Sequence, residues 1–194
     1  MFDRRAYALA LHAFDIRDGN ARGKERIFAN QDRRDLAILN ADEPAARALA
    51  KSLAARVVYF SSSQNVGNGM SLAHETLVNT FPPGKREEYP AGMVKIPGRH
   101  NLENVMAAVL AARECGCDPA GIIATVADFR GLPHRIEFAG EKKGVAFYDD
   151  SKGTNVDAVV RALETFSAPI ILLMGGRDKD CDFETLLPLV RGKV

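Results

Sequence analysis

The sequence predicts an α/β protein, and three observations carry that expectation. A strand-like run, a helical run and a second strand-like run follow one another between residues 35 and 60, the order of a βαβ unit with parallel strands. Asn101 to Cys115 sets Leu102, Val105, Met106, Val109 and Leu110 on one helical stripe. Pro169-Ile-Ile-Leu-Leu-Met174 is apolar without alternation, as a strand buried on both faces would be.

Composition narrows the classes. The 194 residues suffice for one large domain or two small ones, and 46% hydrophobic with 26% charged residues is ordinary for a globular protein. A net charge of +1 with acids and bases interleaved gives no electrostatic case for nucleic acid or an anionic membrane. No apolar run approaches the roughly 20 residues that span a bilayer. The apolar stretch near the start is broken by Asp3, His12 and Asp15, so no secretory leader is expected. Cys115, Cys117 and Cys181 are odd in number and have no further ligands at metal spacing, which reads as reduced thiols in the cytoplasm.

Residues 1 to about 23 are polar and irregular. Asp35–Asn40 is the first expected strand. Asp42 is placed to cap the helix that follows and Pro44 to open it, with the helix running to about Leu53. Arg56–Phe60 is the next strand, closed by a serine run. Ser61 to Pro97 is rich in Gly and Pro and predicts short antiparallel strands and loops. The Asn101–Cys115 helix ends at Gly116, and Asp118-Pro119 starts another that reaches about Phe129. Gly131-Leu-Pro133 is a break and the expected domain boundary, dividing 1–130 from 131–194. Beyond it come strands at about 136–139 and 145–148, a helix at about 156–166, the apolar strand, and a helix from about Phe183.

Chemistry is expected in loops at the carboxyl ends of strands. Asp149-Asp-Ser-Lys-Gly-Thr-Asn155 is one such loop, and Gly175-Gly-Arg-Asp-Lys-Asp180 another. On neighbouring parallel strands they would form a cationic, hydrogen-bonding rim for a carboxylate or phosphate. Each alone also reads as a solvated turn with a helix cap. Asn101 could cap its helix, whereas Asn104 is a poor helix former inside a first turn. Arg135, at the boundary, could reach phosphates, and His134 reads as structural.

These segments, in this order, resemble the Mur ligase family. Gly98-Arg-His-Asn-Leu-Glu-Asn104 matches its Gly-x-His-Asn-x-x-Asn, and Leu132 to Arg135 its Leu-Pro-His-Arg. Asp149 to Asn155 matches Asn/Asp-Asp-Ser-Lys-x-Thr-Asn. Gly175, Gly176, Lys179, Asp182 and Phe183 match a later glycine-containing segment. Asn40–Pro44 and Lys24–Phe28 are similar to two earlier ones, so the resemblance runs from Lys24 to Phe183. It implies part of a P-loop-type central ATPase domain followed by part of a Rossmann-like C-terminal domain. It also implies ATP-dependent addition of D-glutamate to UDP-N-acetylmuramoyl-L-alanine through an acyl phosphate, in cytoplasmic peptidoglycan synthesis. The enzyme would be a monomer at full length, with ATP and Mg2+ as cofactors, no nucleic-acid partner and no membrane. By the same resemblance Asn101 and Asn104 face adenine, Arg135 the phosphates and Asp150 the ribose. Lys152, Thr154 and Lys179 lie toward the reacting carboxylates and D-glutamate, with Lys152 catalytic. Lys24 matches a catalytic lysine that the family carbamylates, giving oxygens that suit magnesium. Read by itself, Lys24 also fits an exposed surface lysine, the lesser of the two readings.

The match has gaps. No Gly-x-x-x-x-Gly-Lys-[Ser/Thr] run occurs, and the family's His ahead of the carbamylated lysine has no counterpart at the right spacing. The expectation is therefore an incomplete chain, inactive alone, with an exposed edge on its central sheet. Two alternatives stand: a non-catalytic nucleotide- or sugar-binding remnant, and a sister Mur or folylpolyglutamate ligase.

Overall fold

The computed structural model describes residues 8–9 (backbone), 25–167, 169–177 and 181–194, and these form two units. One holds the described residues up to Lys95 with His100–Phe129, the other Ile96–Arg99 with Arg130–Val194.

The first unit is built on a six-stranded sheet whose spatial order follows the chain. β1 (Ala8–Leu9), β2 (Leu36–Asn40), β3 (Arg56–Ser61) and β4 (Gly69–Ala73) pair in parallel; β5 (Thr76–Asn79) and β6 (Glu87–Pro90) continue antiparallel. All five β2 residues are buried, which is why its sequence shows no alternation. Ala37 and Leu39 pack with Phe28, with Ala46 of helix α1 (Pro44–Ala50) and with Ala55. Leu36 and Ile38 are buried on the opposite face. The βαβ expectation holds.

The antiparallel expectation for residues 61–97 holds only from β4 onward. β4 lies parallel to β3, joined by a loop far shorter than a helical crossover. This is possible because only three pairs form, at the carboxyl end of β3, so the loop retraces only about 10 Å. The close approach has a local requirement. Gly69 sits at φ +145, and a Cβ there would lie 1.7 Å from the Tyr59 carbonyl oxygen.

Helix α2 (Arg99–Glu114) buries Val105, Met106, Val109 and Leu110. It closes as expected at Gly116 (φ +85), with Gly116 N–H on Arg113 O and Cys117 N–H on Ala112 O, each at 3.0 Å. Asp118 caps α3 (Pro119–Asp128), accepting from Gly121 N–H. No helix among the described residues is long and apolar enough to cross a membrane.

The second unit opens with an antiparallel hairpin, β7 (Glu137–Lys142) and β8 (Val145–Asp149). Lys143 and Gly144 both have positive φ, the signature of a tight two-residue turn. Helix α4 (Val156–Thr165) follows, capped by Asn155, which accepts from Ala158 N–H. A 3-10 turn (Phe183–Leu186) and helix α5 (Leu187–Lys193) bring Lys193 Nζ to the carbonyls of Leu163 and Phe166, each at 2.9 Å.

The apolar stretch from Pro169 to Met174 is not the buried strand its sequence predicts. It forms no ladder, and Ile171 and Leu173 are 86% and 91% exposed. A strand buried on both faces needs a paired neighbour. Here β8 pairs with β7, while Ile170 N–H bonds Lys193 O. In the second unit Phe138, Phe147, Ile171 and Leu173 leave apolar side chains exposed.

Candidate functional site

The carboxyl ends of β2 and β3 carry a polar cluster in the first unit. Asp42, just past β2, is not the helix cap that its position suggests. Glu43 takes the cap position and makes no side-chain cap bond. Asp42 instead organises the serine loop after β3. It accepts from Ser61 Oγ at 2.7 Å, Ser62 N–H at 3.0 Å, Gln64 Nε2 at 3.0 Å and the Ser63 hydroxyl. Burial works against the charge on Asp42, but the bonds from Gln64 and the serines outweigh it and hold the carboxyl down at about 2. Arg47 closes the far side, donating to Ala41 O and Gln64 Oε1, each at 2.6 Å.

Helix α2 begins two residues ahead of Asn101, so Asn101 lies inside the first turn and is not its cap. Asn104 Nδ2 donates to Asn101 Oδ1 at 3.5 Å, which puts both amides on one half-buried face. Between them Glu103 is turned inward and 6% exposed. Its carboxyl accepts from Asn40 Nδ2 at 3.4 Å on one oxygen and from the Ser62 hydroxyl on the other.

In the second unit the turn from Leu132 to Glu137 is bound to the loop after β8. His134 and Ile136 adopt positive φ, 64 and 47, an uncommon conformation for such residues. His134 Nδ1 meets Asp149 Oδ2 at 2.8 Å. His134 O accepts from Lys152 N–H at 3.1 Å, and Asp150 Oδ1 accepts from Ile136 N–H at 3.1 Å. Arg135 thus lies on a turn tied at three points to the loop that carries Asp150, Lys152 and Thr154. Asp149 is held down at about 2, by the His134 ring first and then by Ser151. Burial pushes the Asp150 carboxyl up, against the pull of Ile136 N–H and the Arg135 guanidinium. Gly153 fits tightly: a Cβ there would meet Asp150 Oδ2 at 2.8 Å and the Ala158 methyl at 3.2 Å.

Lys24 and Lys179 lie outside the described residues. The parallel strands expected to align the 149–155 and 175–180 loops do not form among the described residues. One group there could offer ligand atoms to a cation: His134, Glu137 and Asp149, within 4.8 Å of one another. Each is already engaged, Glu137 by His134 N–H at 2.7 Å and Asp149 by the His134 ring.

Two features escaped the sequence reading, the Asp42–serine clamp and the inward Glu103. The serine run directly after a strand was the available signal for the first. For the second it was a Glu at helix position 103 beside a buried stripe, where a solvent-facing charge would be the default.

Comparison with known proteins adds the following. The Mur ligase middle domain family matches residues 11–112. A protein of Syntrophus aciditrophicus named UDP-N-acetylmuramoylalanine–D-glutamate ligase is 57% identical over 171 residues, covering 88% of this chain and 38% of that protein. One of the same name from Acidobacterium capsulatum is 44% identical over 174 residues, with the same shares. The chain thus spans about 38% of the length of these relatives. Among solved structures, MurF from Acinetobacter baumannii superposes with a TM-score of 0.56 at 22% identity, covering 77% of this chain and 33% of that one. The UDP-N-acetylmuramate-alanine ligase MurC from Thermotoga maritima gives 0.54 at 19%, covering 82% and 37%. These two likenesses concern the fold alone.

Proposed function

The chain belongs to the Mur ligase family, and from that premise we propose that it is part of an ATP-dependent ligase that adds D-glutamate to UDP-N-acetylmuramoyl-L-alanine in the cytoplasm. The observation that carries this reading is the 57% identity to a relative bearing that ligase's name, over 88% of the chain. In this reading the first unit is the rear of the ATPase domain and the second the front of the C-terminal domain, divided near Gly131.

The reaction couples two steps. A carboxylate of the UDP-sugar-alanine takes the γ-phosphoryl group of ATP with release of ADP. The D-glutamate amine then attacks the acyl phosphate, forming the amide and releasing phosphate. Both steps build charge on oxygens, which cations must offset. Asn101 and Asn104 present amides suited to an adenine edge. Arg135 offers a forked cation for phosphates, and Asp150 an acceptor for ribose hydroxyls. Lys152 and Thr154, with Lys179, face D-glutamate and the reacting carboxylates. Lys24, if carbamylated, would offer an oxygen ligand to magnesium, which would supply positive charge against the phosphates.

These 194 residues contain no P-loop. On this reading the chain alone binds adenine nucleotide weakly and does not turn it over. The test is NMR titration of the labelled chain with ATP. The reading expects shifts confined to the side-chain amides of Asn101 and Asn104 and to the surroundings of Arg135 and Asp150, weakened in Asn104→Ala. Shifts elsewhere, or none in a folded chain, would count against it.

A further inference from the structure

We propose that Glu103 is a positioning residue that fixes the rotation of the first turn of α2 and so aims Asn101 and Asn104. This rests on reading those two asparagines as adenine-facing.

A helix turns about 100° per residue, so Asn101 and Asn104 share a face while Glu103 points about 160° away from Asn101. The burial pattern agrees, with both asparagines half-buried and Glu103 6% exposed. A buried carboxyl is costly unless its oxygens are satisfied. Here each oxygen has its own anchor on a separate element. Asn40 at the end of β2 donates to one at 3.4 Å, and Ser62 in the loop after β3 donates to the other. Two anchors on two elements resist rotation about the helix axis, which a single bond would allow.

Both anchors are themselves held. Asn40 Oδ1 accepts Asp42 N–H at 2.8 Å, and Ser62 N–H donates to Asp42 Oδ2 at 3.0 Å. A chain of bonds therefore runs from Asp42 through Asn40 and Ser62 to Glu103, which lies between the two asparagines in the first turn. The apolar stripe of Val105, Met106, Val109 and Leu110 lies further along the helix and is buried independently of this chain. Removing Glu103 should thus leave the helix docked and release only the aim of its first turn.

The experiment compares wild type, Glu103→Ala and Glu103→Gln as labelled chains. The first readout needs no ligand: the side-chain amide signals of Asn101 and Asn104. In Glu103→Ala they should shift and broaden while signals of buried Tyr89 and Leu77 stay in place. Glu103→Gln, which keeps one acceptor and the same length, should lie between. The second readout is ATP affinity, expected to fall on the order of tenfold in Glu103→Ala and less in Glu103→Gln. Unmoved asparagine amides in a folded Glu103→Ala chain would overturn the proposal. If wild type binds no nucleotide, the adenine reading fails, and the amide signals still decide the positioning role. If Glu103→Ala does not fold, Ser62→Ala removes one anchor from the other side. Displaced asparagine amides in that variant support the proposal, and unmoved ones sink it.

Discussion

His134 and Asp149 meet at 2.8 Å, and through that contact a strained turn is latched to the loop that carries Asp150, Lys152 and Thr154. The His134 carbonyl adds a second bond, to Lys152 N–H. Ile136 N–H adds a third, to Asp150 Oδ1, so Arg135 is flanked by the left-handed residues His134 and Ile136, both tied to that loop.

The latch should be sensitive to acid. Asp149 is held at about 2 in the folded chain, below the ordinary 3.8. A depressed carboxyl contributes above its unfolded value and loses that contribution as pH falls through the folded one. Protection of the Ser151 and Lys152 amides, taken relative to their intrinsic exchange rates, should therefore be high at pH 5 and fall as pH drops from about 4 toward 2. Asp149→Asn should show the reduced protection already at pH 5.

Asp42 gives a prediction that separates two structural roles. As a helix cap, its replacement by alanine would cost about 1 kcal/mol. As the acceptor of four bonds from the serine loop, its loss should cost roughly 2–3 kcal/mol, since bonds to a charged group are the strong ones. Thermal unfolding of Asp42→Ala measures the size. Ser62 and Gln64 amide shifts should move in this variant, and those of Arg47 to Ala50 should not.

Gly69 tolerates no side chain. Its φ of +145 and the 1.7 Å approach to Tyr59 O leave Gly69→Ala nowhere to go without unpairing β3 from β4. The expected loss is about 3 kcal/mol or more. Gly67→Ala, with open space around it, serves as the control and should be close to neutral.

Arg113 and Glu87 form a second latch, between α2 and the antiparallel part of the sheet. Arg113 Nε donates to Glu87 Oε2 at 2.8 Å, and Tyr89 OH and Asn79 Nδ2 converge on the same oxygen. Both partners are largely shielded, with side-chain exposures of 15% and 16%. Arg113→Met strands the carboxylate and should cost roughly 3 kcal/mol, while Arg113→Met with Glu87→Gln should recover much of it. Urea unfolding of the two variants decides.

The sequence was most legible where one periodicity served one environment. β2, the α2 stripe, Gly116 and Asp118 could be read because burial, helix closure and capping are each set by a few neighbouring residues. Asp42 misled because an Asp before a proline-led helix fits a cap equally well, and only the fold brings the serine loop within its reach. The Pro169–Met174 stretch misled for the opposite reason. Its composition suits a central strand, but strand formation depends on a paired neighbour, which no local pattern encodes. β4 was misjudged because its parallel pairing depends on a three-residue overlap and a glycine pressed against Tyr59. Within the candidate site, the loop motifs were visible as sequence, whereas Glu103 required knowing which side of α2 faces Asn40.

The central claim is that these residues are the D-glutamate-adding part of a Mur ligase. Its most direct test replaces the matching stretch of the Syntrophus aciditrophicus relative with residues 25–194. Phosphate release from ATP and magnesium is then measured with UDP-N-acetylmuramoyl-L-alanine and a panel of amino acids. The account predicts release that depends on D-glutamate and is lost in Lys152→Ala. A folded chimera that responds to another amino acid, or to none while the parent protein responds to D-glutamate, would contradict it.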